Sequence, residues 1–345
     1  MRLAKAGTSD IMASIKDVAR RAGVSIASVS RVLNASFPVT DQMRESVFRA
    51  VHELDYRVDK RARSLRRQRS GTLGLIVSDV GNPFFPGVLH AIERAADEND
   101  FSLFLCNADE DERRQRLHIE SMIDQHIEGI IVMPVTADPS ALEPLLKSNI
   151  PTVLLDRIVS VPVADAVLLD NEAAAEMAIA HLYALGHQRI AMVTVAGNPP
   201  GDLRLKGAHR AAARLGCAIA PAIDYVGELK ESGGYSQMEA ILGAQERPTA
   251  VLFGNNPMAI GGLAAIRDYA LRLPQDFSAI AFDDVSWARL LDPALTTVAQ
   301  PLGEIGRTAI QLLLDRIEGR TTGPPREIRL PGRLVIRNST GSPAR

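Results

Sequence analysis

The sequence predicts an α/β protein with a small all-α helix-turn-helix domain followed by a two-lobed, doubly wound α/β domain. Three observations lead to this prediction: short amphipathic helices near the N-terminus, alternating apolar and amphipathic segments from residue 72 onward, and an uneven charge distribution. Residues 1–69 carry 15 Lys or Arg and seven Asp or Glu, a net charge of +8, whereas the remainder carries −10. A basic head on an acidic body indicates a polyanionic partner for the head alone.

The first sixty residues contain the pattern of a helix-turn-helix. Ser14 and Asp17 form a capping box for a first helix that ends at Gly23, because glycine readily adopts the left-handed conformation of many helix ends. Ser25 can cap a second helix, and residues 40–54 have the apolar spacing of a third helix that completes a small core. Spacing alone would fit an ordinary helical hairpin equally well.

The second helix leaves short, hydrogen-bonding and cationic side chains outside its apolar stripe, a set that a DNA major groove can accept. The predicted DNA-binding residues of this element are Ser25, Ile26, Ala27, Ser30, Arg31 and Asn34. Residues 57–69, RVDKRARSLRRQR, follow with seven Lys or Arg against one Asp. A charge run is usually a solvated surface, but beside a helix-turn-helix it favours nucleic acid binding.

The segment IKDVARRAGVSIASVSRVLN, followed by ARSLR and NPFF, resembles the lactose and galactose repressor family of bacterial transcription regulators. The resemblance extends over about residues 14–341. It implies that the basic linker forms a hinge helix on DNA, where Leu65 wedges between base pairs and Arg63 and Arg66 contact the backbone or a groove. It also implies a body of the type I periplasmic-binding-protein kind, whose two lobes are joined by three crossovers near residues 171, 299 and 329.

The predicted domains follow from these patterns. They are a disordered tail at 1–13, the helix-turn-helix domain at 14–59, the hinge or linker at 60–70, and an effector-binding and dimerisation domain at 71–341. The N-lobe is expected to comprise about 71–170 and 300–328, and the C-lobe about 171–299 and 329–341. Continuous apolar runs predict strands at 73–77, 101–106, 129–133, 152–156, 166–170, 189–195, 224–228, 250–254 and 278–284. Amphipathic segments predict helices at about 86–99, 111–126, 139–148, 171–185, 202–215, 233–244, 257–271 and 301–318.

Ligands of open α/β sheets bind outside the carboxyl ends of the strands, and several polar residues follow the predicted strands directly. The predicted effector-binding residues are Phe84, Asp156, Arg204, Asn255, Asp283 and Trp287. The resemblance implies effector contact at the four polar positions among them. Carboxylates accept hydrogen bonds from hydroxyls, and amides both accept and donate them. An Arg can donate two parallel N–H bonds, and an aromatic face can cover the apolar side of a sugar.

Other residues near the strand ends do not determine which ligand binds. Asp170 and Asn171 fit a helix cap, Phe85 fits a lobe core, and Trp287 fits an interface or core as well as a cleft. Asn256 stands where the family usually has Asp, and Leu229 stands where some members have an aromatic residue. A sugar or sugar derivative is the first expectation for the effector, and a nucleoside or purine acting as corepressor is the second.

Catalytic and cofactor-binding motifs are absent from the sequence: there is no Gly-x-Gly-x-x-Gly, Walker, GxSxG or HExxH pattern. We therefore expect no enzyme activity, no cofactor and no metal. Cys106 and Cys217 have no ligand spacing and are expected to be thiols in a reducing cytosol. No apolar run approaches the ~20 residues of a membrane span, so a cytoplasmic protein without a membrane partner is expected.

The expected partners are double-stranded DNA with a palindromic operator, a second copy of the chain, and a small carbohydrate effector. Two alternatives remain at this point. A solute-binding receptor would share the body but would have no use for residues 14–69. An α/β enzyme with a DNA-binding head would need a nucleophile or an acid–base pair.

Overall fold

The computed structural model describes residues 13–34, 39–56, 70–220 and 229–344. It divides into two compact units, Met1–Ser70 and Gly71–Arg345. Three predictions concern residues outside the described ranges: residues 1–12 of the tail, residues 60–69 of the linker, and the strand at 224–228.

Among the described residues of the N-terminal unit there are three helices, α1 (Ile15–Ala22), α2 (Ile26–Asn34) and α3 (Asp41–Glu53). The predicted capping box at Ser14 is present, since its hydroxyl accepts from Asp17 N and the Asp17 carboxylate accepts from Ser14 N. Gly23 ends α1 with φ of 68°, and the Ser25 hydroxyl caps α2 by accepting from Ser28 N. These caps fix the sharp turn between the two helices.

The three helices bury a shared apolar core. Its fully buried residues are Val18, Ala19, Val29, Val32, Val47 and Ala50. Two polar contacts tie α3 back to α1: the Ser46 hydroxyl donates to Ala22 O, and Arg21 pairs with Glu53 at 2.6 Å. A unit this small depends on these few buried side chains.

In residues 70–220 and 229–344 the body forms two six-stranded sheets. The strands are β1 (Thr72–Val77), β2 (Ser102–Asn107), β3 (Gly129–Val132), β4 (Thr152–Leu155), β5 (Asp165–Leu169), β6 (Arg189–Val193), β7 (Ala218–Ile219), β8 (Ala250–Phe253), β9 (Ser278–Phe282), β10 (Thr296–Ala299), β11 (Glu327–Leu330) and β12 (Arg333–Val335). The sheet orders are β11-β5-β4-β3-β1-β2, which defines the N-lobe, and β12-β10-β9-β8-β6-β7, which defines the C-lobe. All pairings in these sheets are parallel except that of β12 with β10.

Helices cover both faces of each sheet. They are α4 (Phe84–Asp97), α5 (Glu112–Asp124), α6 (Glu143–Ser148), α7 (Asn171–Ala184), α8 (Pro199–Leu215), α9 (Glu231–Leu242), α10 (Asn256–Asp268) and α11 (Leu302–Ile317), with short 3-10 turns at Pro139–Leu142 and Ser286–Arg289. Neighbouring positions on a strand face opposite helical layers: Leu75 packs in the cluster with α4 and α11, and Ile76 packs in the cluster with α5. The prediction of a doubly wound α/β body is confirmed, because only a sheet covered on both faces uses such continuous apolar strands.

The chain passes between the two sheets three times. It leaves the N-lobe after β5, returns to it after β10 through α11, and leaves it again between β11 and β12. The last crossing lies at 331–332, because Arg329 and Leu330 complete β11 and pair with Leu168 and Leu169 of β5.

Four strands were not predicted from the sequence: β7, which has only two residues, and β10, β11 and β12. The edge strands β11 and β12 mix polar and apolar residues, and β10 begins with two threonines. These three strands therefore lack the continuous apolar run of the inner strands. In addition, α8 begins at Pro199 and not at 202, since proline is well suited to the first turn of a helix, which needs no N–H there.

Candidate functional site

A cavity of about 480 Å³ lies at the carboxyl ends of the strands, between the N-lobe and the C-lobe. Its size is within the range of small-molecule sites, roughly 300–1,000 Å³. Its charged lining residues are Asp79, Asp109, Glu110, Asp156, Arg157, Arg204, Lys230 and Asp283. Amides and aromatics complete the polar and stacking surface: Asn82, Asn198, Asn255, Gln300, Phe84 and Phe85. The position agrees with the general rule for open parallel sheets.

Arg204 is a buried cation of the C-lobe, with only 5% of its surface exposed. Its Nε donates to Asn171 Oδ1 at 2.7 Å, its Nη1 donates to Gly254 O at 2.5 Å, and its guanidinium lies 4.0 Å from the centre of the Phe282 ring. Burial lowers the pKa of Arg204, and the charges of Asp283 and Asp156 oppose that effect. These contacts fix the guanidinium in the wall of the cavity.

Asp283 follows β9 and is also buried. Gln300 Nε2 donates to its Oδ1 at 2.6 Å, and Asn256 Nδ2 donates to its Oδ2 at 3.3 Å. Burial raises the pKa of Asp283 to about 6, against the lowering effects of Arg204 and Gln300 and with a further raising effect from Asp156. The group therefore changes charge near neutral pH, where an ordinary aspartate is fully ionised.

Asp156 is the N-lobe counterpart of Asp283. Burial raises its pKa, although the charges of Arg157 and Arg204 act in the opposite direction. Arg157 in turn forms a bidentate pair with Glu110, with Nη1–Oε2 and Nη2–Oε1 distances of 2.6 and 2.7 Å. The Arg157 Nε lies 3.8 Å from Asp156 Oδ2. Carboxylates from both lobes thus line one cavity that also contains two buried guanidinium groups.

Four of the cavity carboxylates occupy the left-handed region of backbone conformation. The φ values are 58° for Asp109, 53° for Glu110, 63° for Asp156 and 73° for Asp283. Such a conformation costs a residue other than glycine on the order of 1 kcal/mol, and it recurs at binding and active sites. The strand ends therefore adopt locally unfavourable geometry where they carry the charged side chains of the cavity.

The outer side of α2 forms a separate candidate surface in the N-terminal unit. Ser25, Ile26, Ala27 and Arg31 are exposed, whereas Val29 and Val32 of the same helix are buried in the core. Residues spaced by one, four and five positions share one side of a helix, so Ile26, Ala27, Ser30 and Arg31 form a contiguous strip. Asn34 is the last residue of α2.

Comparison with known proteins identifies both units. Residues 14–59 match the family described as bacterial regulatory proteins, lacI family, and residues 179–340 match a periplasmic binding protein-like domain. The ribose operon repressor of Escherichia coli (strain K12) is 33% identical over 308 residues, which are 89% of this chain and 93% of that protein. The chain belongs to the lacI family of bacterial regulatory proteins.

Other members of the family match nearly the whole chain. The HTH-type transcriptional repressor PurR of Erwinia tasmaniensis is 36% identical over 319 residues, 90% of this chain and 92% of that protein. The lac repressor dimer bound to operator and the anti-inducer ONPF superposes with a TM-score of 0.82 at 27% identity, covering 95% of this chain and 99% of that chain. A lacI-family regulator from Enterococcus faecium with bound ribose gives 0.68 at 30% identity, covering 79% and 99%.

This lacI-family protein is a DNA-binding transcriptional repressor regulated by a small-molecule effector. The prediction of that function from the sequence is confirmed over the solute-binding alternative. Within the described residues, no helix is both long enough and apolar enough to span a membrane.

The structure brings most of the predicted effector residues of this lacI-family protein to one place. Phe84, Asp156, Arg204, Asn255 and Asp283 all line the main cavity. Trp287 does not; it lines a neighbouring cavity of about 240 Å³ that also includes Phe84, Asp283 and Gln300. The contact of these six residues with effector stays a prediction, as do the DNA contacts of α2, and Arg63, Leu65 and Arg66 lie outside the described residues.

Several residues have roles that differ from their first interpretation. Phe84 and Phe85 both line the cavity and both pack in the N-lobe core, with ring centres 5.2 Å apart. Asn255 caps α10 by accepting from Met258 N at 2.8 Å. Asp170 caps α7 as expected, whereas the neighbouring Asn171 holds Arg204. The amides of Asn255 and Asn171 therefore stabilise the fold at the border of the cavity.

The predicted effector-binding residues do not include four residues that form hydrogen bonds within the site: Glu110, Arg157, Asn171 and Gln300. Arg157 directly follows a predicted site residue, and Gln300 follows an apolar strand that was not recognised. The partnership of Glu110 with Arg157 joins residues 47 positions apart, so no local pattern could reveal it.

The raised pKa of Asp283 predicts a pH dependence of stability. The folded protein binds this proton more tightly than the unfolded chain does, so the unfolding free energy falls as pH rises from the unfolded value of 3.8 to the folded value of about 6. That interval corresponds to about 3 kcal/mol. Asp283→Asn removes this loss, so the variant is expected to gain about 2 kcal/mol relative to the native protein between pH 4.5 and 7.5, because about 1 kcal/mol is already lost at pH 4.5.

Urea unfolding followed by the fluorescence of Trp287, the single tryptophan of the chain, measures this difference in the body. Asp97→Asn is the matched control, because Asp97 is exposed at the end of α4 and its replacement should change the difference much less. A difference between Asp283→Asn and the native protein that stays constant over this pH range would contradict the assignment.

Proposed function

We propose that the effector is an uncharged monosaccharide, with D-ribose as the first candidate, bound in the cavity between the lobes. The observation that carries this proposal is the convergence of Asp156 and Asp283 from opposite lobes beside the buried Arg204. Ionised carboxylates accept hydrogen bonds from pairs of adjacent hydroxyls, and the guanidinium donates to a ring or hydroxyl oxygen. The ribose-bound relative and the ribose operon repressor support the choice of sugar.

Two buried polar atoms on cavity residues support a bound polar ligand. Arg157 Nε and Asn198 Oδ1 have no hydrogen-bond partner in the described part of the chain, although both atoms are inaccessible to solvent. Buried polar groups are rarely left unsatisfied, because each one costs on the order of 1–3 kcal/mol. A sugar hydroxyl can donate to the amide oxygen of Asn198 and accept from Arg157.

A purine is the second candidate, because PurR of Erwinia tasmaniensis is also similar over nearly the whole chain. Phe84 and Phe85 border the cavity and can contact either class of ligand. Direct titration separates the two: D-ribose is expected to bind the native protein with a measurable heat and guanine is not. Binding of guanine without binding of ribose would reverse the order.

The effector is proposed to act through the connections between the lobes. Asn171 and Gln300 stand at two of the three crossings and are hydrogen-bonded to Arg204 and Asp283 respectively. A ligand bonded to carboxylates of both lobes favours one lobe spacing over others, and these bonds transmit the change to the crossings. The sign of the effect on DNA, release or tighter binding, is left to measurement.

The DNA is proposed to be read by the outer strip of α2 in a homodimer on a palindromic operator. Ser25, Ile26, Ala27, Ser30, Arg31 and Asn34 would face the major groove, and Arg63, Leu65 and Arg66 of the basic linker would contact the minor groove and backbone. We place the predicted domain boundaries at 14–59, 60–70 and 71–341. The protein is further proposed to have no enzymatic activity and to act in the cytoplasm, where bacterial DNA lies.

Arg31→Ala is expected to weaken specific operator binding by about 1–3 kcal/mol and to reduce discrimination against non-specific DNA, because an arginine in the major groove reads base edges. Fluorescence anisotropy with DNA from the region upstream of the chain's own gene, and with a shuffled duplex, measures both affinities. Arg49→Ala is the matched control: Arg49 is exposed on α3, and its loss should affect the two duplexes equally. Unchanged discrimination in Arg31→Ala would exclude α2 as the reading helix.

Asp283→Ala is expected to leave operator affinity intact while removing the response to D-ribose, since Asp283 lines the effector cavity but lies in the body. The anisotropy assay is repeated with increasing ribose for the native and variant proteins. A normal ribose response in Asp283→Ala would show that the effector binds elsewhere.

A further inference from the structure

The Glu110–Arg157 pair is a largely buried ion pair in the cavity wall that sugar binding alone does not explain. Arg157 is 8% exposed, and both of its Nη groups are held by the Glu110 carboxylate, with distances of 2.6 and 2.7 Å. Two parallel bonds of this kind engage both terminal nitrogens, which form the fork of the guanidinium. The fork is the part of an arginine that binds phosphate and carboxylate groups best.

The backbone is arranged to place Glu110 in this position. Asp109 and Glu110 are consecutive left-handed residues, and Glu110 N donates to Ser78 O at 2.7 Å. The two carboxylates then serve different partners: Asp109 pairs with the exposed Arg114 at 2.7 Å, and Glu110 pairs with the buried Arg157. Two consecutive residues with unfavourable backbone conformation precede or form this pair. Such strain recurs at functional sites, which favours a function of the pair beyond local stability.

The Nε of Arg157 is a donor that the pair with Glu110 does not use. This nitrogen is buried, lacks a hydrogen-bond partner in the described ranges, and lies 3.8 Å from Asp156 Oδ2. A hydroxyl oxygen needs one donor, which Nε can supply. A phosphoryl group is bound best by the fork and by a net positive charge, and at Arg157 Glu110 occupies the fork and neutralises the charge.

The other guanidinium of the cavity is similarly occupied. Arg204 donates to Asn171 and to Gly254 O and lies against Phe282. The first turn of α8, which borders the cavity, contains Pro199 and Pro200 and so lacks two of the N–H groups by which a helix N-terminus binds anions.

From these contacts we propose that Glu110 is a specificity-determining residue of the effector site. By holding the fork of Arg157, it makes the cavity select an uncharged sugar and reject the phosphorylated form of the same sugar. Glu110→Gln keeps the size of the side chain and removes its charge, which frees Arg157 to bind a phosphate. The inference rests on the proposal that the cavity binds a sugar, but its test does not depend on which sugar.

The test compares the binding of D-ribose 5-phosphate and of inorganic phosphate to the full-length native protein, Glu110→Gln, and the double variant Glu110→Gln with Arg157→Gln. Titration calorimetry and ligand-induced shifts of the unfolding temperature are the readouts. Glu110→Gln is expected to bind at least one of these anions at least tenfold more tightly than the native protein. The double variant is expected to lose that gain, because the phosphate would be bound by Arg157.

Glu120→Gln is the matched control. Glu120 is an exposed N-lobe carboxylate on α5 that pairs with Arg116 at 3.3 Å, so its loss changes the net charge equally without touching the cavity. Glu110→Ala repeats the test if Glu110→Gln proves unstable. The proposal is overturned if both anions bind Glu110→Gln and the native protein equally, or if the gain persists without Arg157. A separate D-ribose titration of the native protein tests the sugar assignment. If ribose does not bind, the comparison of anion binding between the native protein and Glu110→Gln still tests the role of Glu110.

Discussion

The buried guanidinium of Arg204 is the interaction on which the geometry of the effector cavity depends. A charge removed from water is costly unless other groups replace its hydration, and here an amide oxygen, a backbone carbonyl and an aromatic face do so. These partners come from the start of α7, the end of β8 and the end of β9. Fixing one side chain therefore fixes three elements of the C-lobe and one of the crossings between the lobes.

The same charge explains how carboxylates can be buried nearby. Asp283 and Asp156 both have raised pKa values because burial disfavours their ionised forms, and the positive field of Arg204 opposes this in each case. Gln300 and Asn256 donate to Asp283, so that carboxylate is oriented before any ligand arrives. Asn256 supplies a donor to Asp283, where a carboxylate at the same position would repel it. Such preorganisation lowers the cost of ordering the site on binding.

The sequence predicts much of this architecture because the relevant signals are local. The caps at Ser14, Gly23 and Ser25 lie within a few residues of the helices they bound, and the inner strands are continuous apolar runs followed at once by their site residues. Asp156 and Asp283 could be chosen on that basis, since parallel strands present their carboxyl ends on the same side of a sheet.

What could not be predicted depends on partners distant in sequence or on weaker patterns. The bond of Asn171 to Arg204 and the pairing of Glu110 with Arg157 need the folded sheets to bring their members together. Gln300 was missed because β10 begins with threonines and is shorter in its apolar run than the inner strands. Trp287 could not be assigned, since one aromatic residue after a strand fits a core and a cleft equally well; it lines the smaller neighbouring cavity.

Effector control of DNA binding requires that the effector and the operator change each other's affinity by the same factor. The most direct measurement compares two pairs of dissociation constants of the native protein. One pair is for D-ribose with and without saturating operator, and the other is for the operator with and without saturating D-ribose. We expect the two ratios to be equal and to differ from one by roughly 5- to 150-fold, the usual range of such couplings. If ribose binds but both ratios equal one, the cavity between the lobes does not control the DNA-binding head.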